Sequence, residues 1–289
     1  MMGSLAAVYE RFGNSHRVFE CCDTTFRIQA TGVRVETAAT AARETAESLE
    51  AQLNAFDEAS AVSQINREGE VANEHVARIV SRGLEYNDRT EGVFDIRQGR
   101  VEQALKTFLR GDSETPPTEF DTGTVETNGS HVTTDVELDL NGLAKGYIVD
   151  RTAETLAGLG RCGFVSGGGD MSPPTGPVAI ESPYGDDTAL KILDTDWYVA
   201  TSGGYRRSRN GTDHVYDPTT ASLGSRHESV TVVARRDCME ADALATTLAA
   251  LPLAEARELA SAWEGLEALV IHDGVFHTTN GFETHVLDT

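Results

Sequence analysis

Apolar residues recur along this chain at two spacings, one helical and one strand-like. Leu49, Leu53 and Phe56 fall at helical intervals, which predicts a helix over 36–56. Val76, Ile79, Val80 and Leu84 mark a second helix face, and Val101, Leu105, Phe108 and Leu109 a third. Phe19 to Ile28 predicts a strand. The second half predicts strands around 131–140, 177–181, 197–201, 229–234 and 268–272, and helices around 143–159, 240–250 and 253–262. Between 111 and 130 the chain is rich in Gly, Asp, Thr and Pro, which reads as an exposed loop. No internal repeat is apparent, and strands and helices mix without a steady βαβ rhythm. An α+β fold is therefore expected over a doubly wound sheet.

The stretch from Glu137 to Arg151 concentrates reactive groups. An apolar/acidic alternation reads as a strand that runs into an amphipathic helix, with Asp139 near the strand's end, Gly142 at the corner and Lys145 in the first helical turn. Glycine permits close backbone approach to a ligand, and the free N–H groups of a helix start favour phosphate. Read alone, the same residues also describe an ordinary strand-to-helix connection.

Composition narrows the partners. With 46 acidic against 24 basic residues the net charge is −22, and Lys106, Lys145 and Lys191 are the only lysines. Dense carboxylate with so little lysine suits molar salt, where the Debye length falls to about 3 Å. Nucleic acid and anionic membrane surfaces are poor partners for such a surface. Neither a basic, apolar leader nor a run of roughly 20 apolar residues stands out, so a cytoplasmic location without membrane insertion is expected. The 289 residues suit one large domain or two lobes sharing an interface. Cysteines 21, 22, 162 and 238 lack paired metal-ligand spacing, and the adjacent pair suits an ordinary disulfide poorly, so buried reduced thiols are expected.

Further segments carry small, polar or titratable groups. Gly163-Phe-Val-Ser-Gly-Gly-Gly-Asp170 offers successive backbone N–H groups without side chains, or a flexible turn. Ala200-Thr-Ser-Gly-Gly-Tyr205 ends a strand with small residues. His214 precedes a turn, where an imidazole can move a proton near neutral pH. Asp217 could orient His214 or cap the turn before Pro218. Asp242 and Thr246 lie four apart on a predicted helix, presenting a carboxylate and a hydroxyl as hard oxygen ligands of the kind Mg²⁺ accepts, or a solvated face.

The order of these segments resembles the ApbE family of FAD:protein FMN transferases over nearly the whole chain. The matching elements are Ser63-Gln-Ile-Asn66, Val93-Phe94-Asp95, Leu138 to Tyr147, Gly168-Gly169-Asp170, Thr201-Ser202-Gly203-Gly204-Tyr205, His214-Val-Tyr-Asp217-Pro218-Thr219 and Ala241-Asp242-Ala-Leu-Ala-Thr246. The resemblance implies a single two-lobed unit over 1–289 with FAD and metal in the cleft between lobes. It implies FAD contacts from Val93, Phe94, Asp95, Asp139, Lys145 and His214, with Phe56 in place of a stacking tyrosine. It implies Mg²⁺, or Ca²⁺ or Mn²⁺, on the Gly142 carbonyl, Asp242 and Thr246. Asp139, Lys145 and His214 would serve the reaction, with His214 accepting the proton as a Ser or Thr of an acceptor protein attacks FAD and AMP leaves. Hydrolysis of FAD to FMN and AMP, and flavin binding without turnover, are the competing readings. Three departures stand out: Cys22-Asp23-Thr24 where the family usually shows Met-Gly-Thr, Phe56 for Tyr, and Gly204 for Asp.

Overall fold

The computed structural model describes residues 13–287 apart from 161, 186–187, 204–208 and 211. Its centre is an eight-stranded sheet whose spatial order follows the chain. The strands are β1 (Gly13–Cys21), β2 (Thr24–Gly32), β3 (Cys162–Gly167), β4 (Asp170–Met171), β5 (Tyr198–Ser202), β6 (Ser229–Ala234), β7 (Leu266–His272) and β8 (Val275–Thr278). Every pairing in it is antiparallel. That arrangement bears out the α+β expectation, since a doubly wound fold needs parallel strands joined by helical crossovers.

Seven α-helices are described: α1 (Val35–Leu53), α2 (Ala61–Glu68), α3 (Glu74–Arg89), α4 (Gly99–Arg110), α5 (Asn141–Gly158), α6 (Cys238–Ala250) and α7 (Leu253–Ala262). Helix α5 packs against α1, α6 and β3, while α6 also lies on β5 and β6. Alternation along β6 shows how the sheet is covered. Val230, Val232 and Ala234 join the main core under the helices, whereas Val233 joins a smaller core with Val199, Leu269, Ile180, Leu193 and Phe282. Successive residues of a strand point to opposite faces, so burial of the whole Ser229–Ala234 run reports cover on both sides. The second cover is a hairpin of Val178–Glu181 with Ala189–Leu193 and the short turn at Phe282–His285.

Several boundaries differ from the sequence reading, each for a local reason. The strand expected over Phe19 to Ile28 is a hairpin, β1 with β2, turning at Cys22 and Asp23. Both turn residues have φ of 54°, the left-handed conformation of a two-residue I′ turn, and neither is the glycine or asparagine that usually announces one. Helix α1 stops at Leu53, and Phe56 lies beyond it in a turn closed by its own N–H to Asn54 Oδ1 at 2.9 Å. The 131–140 strand is real only over His131–Thr134, in a three-stranded sheet with Glu70–Ala72 and Val125–Asn128, the last within the expected loop.

Residues 137–140 join no sheet and are held by point contacts. Asn66 pins them like a missing strand: its Nδ2 donates to the Leu138 carbonyl at 3.0 Å, and its Oδ1 accepts from Leu138 N at 2.8 Å. The Asp139 amide donates to the Ile96 carbonyl at 2.8 Å. Helix α5 then begins at Asn141 and buries Leu143, Tyr147, Ile148 and Val149 on several sides, so it is a central helix rather than an amphipathic one. Asn66→Ala should lower stability by about 1–3 kcal/mol, because both backbone groups of Leu138 lose their partner. Denaturant unfolding of the variant checks this, and a loss below about 0.5 kcal/mol would contradict it.

The thiol expectation holds in part. All four cysteines are free, with Cys21 and Cys238 buried, Cys22 half-buried and Cys162 exposed.

Candidate active site

The β1–β2 turn, the β3–β4 turn and the end of β5, all at one end of the sheet, join the start of α5 in lining a cavity of about 680 Å³. Phe56, Val93, Phe94, Asp95, Asp139, Gly142, Lys145, His214, Asp242 and Thr246 all line it. Phe56 and Thr246 are 190 residues apart in the chain, and the packing of α5 and α6 on each other and on the sheet brings the set together. The volume falls in the usual range for a small-molecule site.

At one end, α5 and α6 cross so closely that Gly146 touches the backbone of α6. A Cβ at Gly146 would stand 2.6 Å from the Cys238 carbonyl oxygen. This contact carries Lys145 to Asp242, with Nζ 3.1 Å from Oδ1, while Asp242 Oδ2 accepts from Gly146 N at 3.1 Å. Lys145 also pairs with Asp170 Oδ2 from β4. Burial opposes the Lys145 charge, but Asp170 and Asp242 outweigh it and hold the ammonium above the ordinary lysine range. Asp170 is 0% exposed. Burial, then Asp242, raises its carboxyl to about 8 against the pull of Lys145.

Lys145 is therefore not the free cation of a helix start. It stands in the second turn of α5, held between the buried carboxyl groups of Asp170 and Asp242. Asp170 Oδ1 is buried without a hydrogen-bond partner. Thr246, one turn beyond Asp242 on α6, adds a hydroxyl at the cavity wall. Two buried carboxyl groups and a hydroxyl are hard oxygen donors of the kind a divalent cation takes, and a bound cation would favour their ionised form. Among the alternatives left open for Asp242, a solvated face is excluded, since it is 5% exposed. Asp170 belongs to the Gly168-Gly169-Asp170 element of the sequence, but only the fold places it beside Lys145.

The middle of the cavity is built around Asp139. Its Oδ1 accepts from Asn141 N at 3.0 Å and its Oδ2 from the Tyr216 hydroxyl at 2.9 Å. Tyr216 is half-buried, and desolvation of its hydroxyl, then Asp139, pushes its phenol well above the ordinary range. Nearby Glu102 is 6% exposed, with Lys106 Nζ 3.1 Å away. Burial, then Asp139, raises its carboxyl to about 7. Glu102 was not legible as a site residue because a charged residue on a helix normally faces solvent, and Tyr216 because no spacing announces its bond to Asp139, 77 residues upstream.

Because the folded Glu102 value lies above the unfolded one near 4.5, its contribution to stability is fully present below pH 4.5 and is lost as pH rises through about 7. Wild type should therefore lose on the order of 3 kcal/mol across that window relative to Glu102→Gln. Paired unfolding curves from pH 4.5 to 8 test it, and parallel curves would refute it.

Phe94 and Val93 form a wall opposite α5. The Phe94 ring is so near Gly142 that a Cβ there would meet its Cε2 at 3.0 Å. Asp95 is occupied structurally, its Oδ1 accepting from Arg97 N at 3.0 Å and Nε at 2.7 Å, its Oδ2 from Gln98 Nε2 at 3.1 Å. Phe56 is 48% exposed, with Lys106 Nζ 4.2 Å from its ring centre. Two of the chain's three lysines thus face the cavity. His214 is exposed at its edge. Asp217 does not orient it: its oxygens accept from Thr219 N at 2.9 Å, Thr219 Oγ1 at 2.7 Å and Thr220 Oγ1 at 2.7 Å, which caps the turn. Thr201, Ser202 and Gly203 also line the cavity, whereas Gly204 and Tyr205 lie outside the described residues.

Residues 22–270 match the sequence model of the ApbE family. This chain belongs to the ApbE family. Among its relatives, the FAD:protein FMN transferase of Vibrio cholerae is 29% identical over 233 residues, 70% of each chain. The FAD:protein FMN transferase of Haemophilus influenzae is 26% identical over 273 residues, covering 82% of this chain and 77% of the relative. The crystal structure of the ApbE protein from Thermotoga maritima superposes with a TM-score of 0.83 at 23% identity, over 96% of this chain and all of that one. This ApbE-family enzyme therefore shares its mixed helix-and-sheet fold with the solved structure. Among the described residues, no helix is long and apolar enough to cross a membrane.

Proposed function

We propose that this ApbE-family enzyme transfers FMN from FAD to a Ser or Thr hydroxyl of an acceptor protein, with release of AMP. The observation that carries this reading is convergence: every residue matched to the family's flavin and metal positions lines one cavity. The names of the two relatives support the same reaction.

In this reading the half-exposed Phe56 ring and the Val93–Phe94 wall receive the flavin end of FAD, and Asp139 and Lys145 bind toward its pyrophosphate. The Gly142 carbonyl, Asp242 and Thr246 would hold a divalent cation, Mg²⁺ by preference, with Ca²⁺ or Mn²⁺ as alternatives. Such an ion supplies neutralisation of pyrophosphate charge. The acceptor oxygen forms a bond to the FMN-side phosphorus as the bond from that phosphorus to the AMP oxygen breaks. His214, exposed at the cavity edge where an acceptor segment arrives from solvent, takes the hydroxyl proton. The acidic surface favours a salt-rich cytoplasm as the setting and disfavours nucleic acid as a partner.

The test is incubation of purified protein with FAD and Mg²⁺ in high salt, with and without a Ser- or Thr-bearing acceptor segment, followed by mass spectrometry and AMP assay. A metal-dependent gain of FMN less water on the acceptor is expected. AMP with free FMN and no modified acceptor would favour hydrolysis, and intact bound FAD a binding protein.

A further inference from the structure

The β1–β2 turn holds a second candidate site, and no part of the proposed transfer reaction uses it. Neighbouring residues in a strand normally point to opposite faces. Here Cys22 adopts φ of 54°, which brings its sulfur back beside that of Cys21, with the two Sγ atoms 3.8 Å apart. Positive φ is uncommon for a residue with a β-carbon, and such conformations cluster at functional sites. Glu50, on α1, meets the pair from the other side: its Oε1 accepts from Cys22 N at 2.6 Å. Among the described residues, Cys21, Cys22 and Glu50 are the one group of three such side chains whose ligand atoms all lie within 4.8 Å of one another.

We propose that Cys21, Cys22 and Glu50 form a binding site for a thiophilic divalent cation such as Zn²⁺ in the wall of the cavity. Two sulfurs and a carboxylate oxygen supply three ligands of a tetrahedral site and leave one position open. Cys22 and Glu50 both line the cavity, so the ion has an entry path. Binding balances in charge: Zn²⁺ displaces one proton from each thiol, and two thiolates with one carboxylate leave the occupied site at −1, the charge Glu50 alone gives the empty one. Without an ion, the Cys21 thiol is held protonated by its contact with Cys22, by burial and by Glu50. Sulfur also separates this site from the oxygen-only group at Asp242, which favours hard cations.

Co²⁺ is the probe, titrated into the reduced full-length protein. One equivalent should produce a sulfur-to-cobalt charge-transfer absorption, which Zn²⁺ then bleaches. Cys22→Ser should abolish the band, and Glu50→Gln should weaken binding by about 10–100-fold. Cys162→Ser should leave it unchanged. On unmodified protein, a pH-stat should record two protons released per ion, and affinity should climb by up to about a hundredfold per pH unit below the thiol range. No charge-transfer band at one equivalent, a band that survives Cys22→Ser, or metal uptake without proton release would each overturn the site.

Discussion

Asp242→Ala is expected to lower FMN transfer and AMP release by about a thousandfold or more at saturating Mg²⁺, the several kcal/mol that charge neutralisation by a bound cation supplies. Stability should fall far less. Lys145 keeps Asp170 as its partner, and the loss is confined to the Gly146 N–H bond and one ion pair, about 1–3 kcal/mol together. Asp242→Asn separates the two effects. An amide oxygen still accepts from Gly146 N, so the fold should recover while turnover does not. Parallel activity assays and unfolding curves decide the matter, and unchanged activity in either folded variant would rule out the metal site.

Lys145→Met should be the most damaging change to the fold within the cavity. It leaves Asp170, 0% exposed, and Asp242, 5% exposed, beside one another without a cation. Removing one partner of such a buried group typically costs about 3–5 kcal/mol. Methionine fills most of the lysine's volume, so the loss reports charge rather than a cavity. Added Mg²⁺ should then raise the variant's midpoint more than the wild type's, because the ion substitutes for the missing ammonium and binding stabilises the folded state by mass action. A loss under 1 kcal/mol, or equal Mg²⁺ shifts in both proteins, would show that the two carboxylates do not share a cation.

Much of the fold was readable where a segment's own periodicity matched its burial. The strand at 229–234 and the helix at 253–262 fall where the pattern puts them, and 240–250 differs only by starting at Cys238. Errors cluster where a tertiary partner replaces a local signal. The run at 137–140 is held by Asn66, 72 residues upstream of Leu138, rather than by a neighbouring strand. Hairpin β1–β2 turns on two residues with no glycine between them, so no turn signal interrupts the strand pattern. Asp95 was expected at the flavin and does line the cavity, yet its oxygens are bound by Arg97 and Gln98.

The sequence by itself determined the residue types and their order: a carboxylate and hydroxyl four apart, a lysine in a lysine-poor chain, a histidine before a turn, and the ordered motifs of the ApbE family. Those features are local, and helical or strand periodicity is enough to place them on elements. Tertiary structure decided which of them meet. The close crossing at Gly146 sets Lys145 between Asp170 and Asp242, and the packing of α1 and the β1–β2 turn brings Glu50 and Cys22 to the same cavity as His214. Charge compensation in a buried site depends on distances between segments far apart in the chain, and no spacing along the sequence encodes those distances.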